Sequence, residues 1–187
     1  RAGIDGHVAN EDLLHLRPAG QGRHDDQTIW LAAETRHTRR RVVVAASASA
    51  AMSTGTTLPA SVENCPGFPA LCFAADLTPG QTMTLDKAAV ILTDRDAPAG
   101  DSLTEAAATH LRDLSYDRTR AGHVAAWARV WERGEVIIEG DDEAQLAMRF
   151  NLFQLLVAAP QTDDRVSIGA KTLSGYGYRG HIFWDTE

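Results

Sequence analysis

At 187 residues, with 44% hydrophobic and 23% charged side chains, the chain has the material for a packed core of one or two domains and is not an intrinsically disordered segment. A formal net charge of -7 and a pI near 5.4 exclude a general nucleic-acid binder, because neutralising phosphates requires a basic surface. No apolar run approaches the ~18 residues that signal a membrane span.

Residues 27 to 48 read as two β-rich runs, QTIWLAAETRHT and RVVVAASAS, in which Trp30, Val42, Val43 and Val44 suit a pleated, half-buried surface. The run His37 to Arg41 (HTRRR) is a basic patch or a solvated turn between those strands; it is short and isolated in an acidic chain, which favours the turn. Residues 53 to 70 carry Pro59, Pro66 and Pro69 among several turn formers and read as a loop. Cys65 and Cys72, seven apart around Pro66 and Pro69, are either a disulfide or free thiols, and nothing else in the sequence supports the disulfide. A further strand comes at MTLDKAAVILTD, 83 to 94, so everything up to about residue 96 is compatible with antiparallel β structure.

Pro and Gly interrupt the strands at DAPAGDS, 96 to 102, where Asp101 or Ser102 can cap the next element. From Leu103 the period becomes helical: Ala106, His110, Leu111 and Leu114 suit one helix and 121 to 133 suits another. In the second, His123, Trp127 and Trp131 recur every four residues and share one stripe, a sugar platform or a packing surface, of which packing is the commoner use of tryptophan. His123 has no partner at metal-ligand spacing, so no metal site is expected. Asp141, Asp142 and Glu143 precede a long apolar helix, 143 to 159, where acidic residues cap free amides and complement the helix dipole; a catalytic carboxylate pair is the lesser reading. Apolar residues on two faces of that helix, Leu146, Phe150, Phe153 and Val157 against Met148, Leu152, Leu155 and Ala159, imply burial between neighbours, and Pro160 ends it.

The last nineteen residues, 169 to 187, end in a tryptophan and aspartate pair, Trp184 and Asp185, delivered by a glycine-rich loop. An indole covers the apolar C–H face of a pyranose while a carboxylate accepts from neighbouring hydroxyls, so the pair suits a sugar site. The same residues also suit a packed core, a helix cap and a turn.

The block RGHIFWDTE preceded by IGAKTLSGYGY resembles the signature of the glycoside hydrolase family 65 disaccharide phosphorylases, which act on maltose, trehalose and kojibiose. Residues 121 to 156 are similar to the segment that precedes this signature. IDGHVAN at 4 to 10 and GQTMTLDKAAVILTDRD at 80 to 96 look like strands of the family's amino-terminal β-sandwich. Agreement is dense from about residue 110 and sparse before residue 80. The pattern departs at Lys171, Thr172 and Tyr176.

The resemblance implies an α+β multidomain fragment. Residues 1–96 would form the C-terminal part of the N-terminal β-sandwich, residues 97–120 a helical linker, and residues 121–187 the first helices of a truncated (α/α)6 barrel. It implies an inverting phosphorylase that cleaves an α-glucosyl disaccharide with inorganic phosphate to β-glucose 1-phosphate and a released sugar. Trp184 and Asp185 would hold the glucosyl ring, with Arg179 and His181 as weaker contacts. No catalytic residue is assigned: the general acid is expected downstream of this chain, and Glu187 is kept as a supporting carboxylate. A fragment without that acid is expected to be inactive. No cofactor is expected beyond phosphate as co-substrate. The expected partners are a disaccharide and phosphate, with no nucleic acid and no membrane, and the full-length protein would form a homodimer. No signal-peptide pattern is legible after Arg1, so the expected cytoplasmic location rests on the resemblance. A family 65 α,α-trehalase and a noncatalytic carbohydrate-binding module stay open as alternatives.

Overall fold

The computed structural model describes residues 15–97, 102–159 and 168–169, and the chain divides into two compact units between His123 and Val124. The first unit is built on strands β1 (Leu16–Asp25), β2 (Thr28–Thr35), β3 (Arg41–Met52), β4 (Thr57–Leu58) and β7 (Met83–Thr93). All their pairings are antiparallel. Because β7 takes one edge of β3 from Val42 to Met52, β2 and β4 share the opposite edge, with β1 outside β2. A separate two-stranded sheet joins β5 (Ser61–Cys65) to β6 (Phe68–Cys72).

The register divides the large sheet into two faces, since side chains alternate and directly opposed residues share a side. Trp30, Ala32, Val43, Ala45, Ala88, Val90 and Leu92 fall on one face, and helix α1 (Leu103–Arg112) packs there. Val43, Ala45, Ala107 and Leu111 are the buried centre of that contact. The small side chains of Ala45 and Ala107 let helix and sheet approach closely, which the alternation in β3 and the AAA run of α1 prescribe together. Ser102 caps α1 by accepting from the Glu105 N–H, as expected from the sequence.

Glycine is required on β1. Gly20 sits at φ 147°, beside a register shift after Pro18. Its neighbour Gly22 lies directly opposite Trp30, whose indole covers both glycines.

The stretch read as a loop, 53 to 70, instead contains β4, β5 and the beginning of β6. Its prolines do not prevent this. Pro66 and Gly67, the latter at φ 76°, close the hairpin turn, and Pro69 lies opposite Asn64 in a two-stranded sheet, where a missing N–H can face away from the partner strand. Gln21 of β1 anchors the hairpin: its amide nitrogen donates to Asn64 Oδ1 at 2.6 Å and to the Cys65 carbonyl at 2.8 Å, and its oxygen accepts from the Gly67 N–H. Both cysteines are free, Cys65 being exposed.

The basic run forms the turn between β2 and β3, the solvated reading. Arg39 adopts φ 55°, and the Thr35 N–H donates to the Arg40 carbonyl at 2.8 Å. Its charge is largely met within the sheet: Glu34 takes both Arg17 and Arg39, and Arg40 lies 3.6 Å from Asp94.

Helix α2 (Tyr116–Gly134) runs across the boundary, and α3 (Asp142–Ala158) belongs to the second unit. Asp141 is the N-cap of α3, accepting from the Ala144 N–H at 2.9 Å, with Asp142 and Glu143 in the first turn. Gln145 ties the preceding segment to the helix: it accepts from the Ile138 N–H at 2.6 Å and donates to the Val136 carbonyl at 3.0 Å. Arg149 pairs with Glu135. The expected burial of α3 between neighbours is not seen: the helix has no buried residue, and Leu146 and Phe150 are 70% and 60% exposed.

Candidate functional site

Trp184, Asp185, Arg179 and His181, the residues that the sequence marks for sugar binding, lie outside the described residues, as does Glu187. The remaining chemical candidates can be placed.

Of the aromatic stripe on α2, Trp127 and Trp131 have ring centroids 6.0 Å apart, and Trp127 meets Phe153 of α3 at 5.1 Å with planes tilted by 38°. Tilted rings at this spacing are an apolar packing arrangement. Trp127 therefore joins α2 to α3, the packing reading. The carboxylates at the start of α3 act as expected for a helix start, because Asp141 is committed to the Ala144 amide.

The first unit presents two depressions that carry charged side chains. One is lined by Asp86 and Lys87 of β7 together with Asp117, Arg120 and His123 near the start of α2. The other gathers Asp25, Asp26, Thr28 and Arg112. At the second, Asp25 has its pKa held below the ordinary carboxylate value: burial opposes the shift, but hydrogen bonds from the Gln27 backbone and the Thr28 side chain outweigh it. A carboxylate held ionised by its own turn is not poised to deliver a proton near neutral pH. Asp96 is likewise lowered, by the Thr93 hydroxyl and then by the Thr93 N–H, each 2.7 Å from Oδ2. Cys72 moves the other way, raised first by burial and then by Glu63, so its thiol is not an activated nucleophile. Among the described residues no group of three or more His, Cys, Asp or Glu is arranged to hold a metal, and no helix is long and apolar enough to cross a membrane.

The sequence reading missed Gln21 and Gln145, two side chains that fasten irregular segments to regular elements. A lone glutamine carries no motif, and its partners are backbone groups that the sequence does not distinguish.

Comparisons with known proteins extend beyond these residues. Residues 1–130 match the model of the glycosyl hydrolase family 65 N-terminal domain, and residues 149–187, the segment carrying Trp184 and Asp185, match that of the family's central catalytic domain. Kojibiose phosphorylase of Caldanaerobacter subterraneus subsp. tengcongensis is 43% identical over 110 residues, covering 57% of this chain and 14% of the relative. Nigerose phosphorylase of Lachnoclostridium phytofermentans is 44% identical over 78 residues, covering 42% of this chain and 10% of the relative. The 1,2-alpha-glucosylglycerol phosphorylase of Bacillus selenitireducens is 34% identical over 117 residues, covering 62% and 15% respectively. The chain thus spans a small part of the length of the curated relatives it matches. A solved human-microbiome chain, named as a candidate kojibiose phosphorylase, superposes with a TM-score of 0.63 at 19% identity, covering 89% of this chain and 22% of that one, which extends the likeness to the fold. With the N-terminal domain model matched over residues 1–130 and the catalytic domain begun after it, the chain belongs to glycosyl hydrolase family 65.

Proposed function

We propose that the full-length protein carrying this chain is an inverting disaccharide phosphorylase that cleaves an α-glucosyl disaccharide with inorganic phosphate. The observation that carries this is the set of relatives: kojibiose, nigerose and 1,2-alpha-glucosylglycerol phosphorylases, matched at 34 to 44% identity. Residues 1–96 are the rear part of the N-terminal sandwich in this reading, 97–120 a linker, and 121–187 the first helices of an (α/α)6 barrel.

In the reaction, a carboxylic acid supplied by the full-length protein protonates the glycosidic oxygen while phosphate attacks the opposite face of the anomeric carbon. The C–O bond to the leaving sugar breaks as the bond to phosphate oxygen forms, giving β-glucose 1-phosphate. This is the inverting glycosidase arrangement with phosphate in place of base-activated water. Phosphate is already a competent nucleophile, so the protein's work is to position it and to balance its charge. Trp184 offers an indole to the C–H face of the glucosyl ring, and Asp185 accepts from its hydroxyls. A sugar lacking the matching hydroxyl would leave the carboxylate unpaired, which is how this contact selects. Arg179 and His181 stand close in sequence and shape the loop or the pocket wall. The reading requires no cofactor, and it makes the protein a cytoplasmic homodimer.

The test is phosphate-dependent release of glucose 1-phosphate by the full-length protein from kojibiose, nigerose, maltose and trehalose. Phosphate-independent release of glucose from trehalose would make it a hydrolase instead. Saturable sugar binding without turnover would leave only a binding module.

A further inference from the structure

We draw no further inference here: the strongest candidate, the depression that Asp86 and Lys87 of β7 share with Asp117, Arg120 and His123 of α2, takes all five of these charged or titratable groups from exposed side chains, and nothing in the structure shows what occupies it.

Discussion

The Trp30 indole lies across Gly22 so closely that a methyl carbon added at Gly22 would stand 3.2 Å from Trp30 Cζ2. The same ring lies 3.3 Å from the place a Cβ would take on Gly20. Trp30 also packs against the core beneath α1. It cannot retreat from β1 without loosening that core. Gly22→Val is therefore expected to destabilise the first unit by about 1–3 kcal/mol, the usual cost of overpacking. Urea unfolding followed by circular dichroism measures it, and an unchanged midpoint would show that the indole moves freely.

Glu34 predicts an acid response. The Arg39 guanidinium, and then Arg17, hold its carboxyl below the ordinary value of 4.5. A carboxylate whose folded pKa is depressed contributes stability above its unfolded pKa and loses it as pH falls through the folded value. The loss belongs below about pH 4.5, with no change expected between pH 6 and 8. Glu34→Gln should flatten the acid limb of a plot of unfolding midpoint against pH. A parallel limb in wild type and variant would remove Glu34 from the account.

The start of α3 makes two separable contributions. Asp141→Ala removes the acceptor for the Ala144 amide and should cost ~1 kcal/mol, whereas Asp141→Ser should restore most of it. Gln145→Leu leaves the Ile138 N–H and the Val136 carbonyl without their partner and should cost ~1–3 kcal/mol where water does not replace it. Amide hydrogen exchange at Ile138 distinguishes them: Gln145→Leu should speed it and Asp141→Ala should not.

In the full-length protein, Asp185→Asn converts an acceptor of sugar hydroxyls partly into a donor. Catalytic efficiency should fall roughly 10- to 100-fold, the worth of a hydrogen bond to a charged group. Steady-state phosphorolysis measures it, and unchanged kcat/KM would end the role assigned to Asp185.

The elements that repeat a period were legible. The β-branched run Val42 to Val44 marked β3, and the candidate caps at Asp101 or Ser102 and at Asp141 marked two helix starts because a side-chain oxygen leading into a helical period has few other uses. The β5–β6 hairpin was not legible: Pro59, Pro66 and Pro69 outweighed the apolar spacing of Val62 and Leu71, and only the pairing of Asn64 with Pro69 shows how a proline fits there. The packing of Trp127 against Phe153 was half legible, since the four-residue spacing gave the stripe but not its partner 26 residues on. The proposed sugar contacts were read from Trp184 and Asp185 as a motif, which carries no distances.

The hairpin register also governs how the protein meets oxygen. Cys65 faces Phe68 and Cys72 faces Ser61, so the two thiols stand four rows apart, about 13 Å along the ladder, far beyond the reach of an S–S bond. Joining them within one molecule would require tearing the hairpin open. Exposed Cys65 has an easier route, outward to another molecule, and stocks kept without dithiothreitol should show covalent dimers on a non-reducing gel that Cys65→Ser abolishes and Cys72→Ser does not.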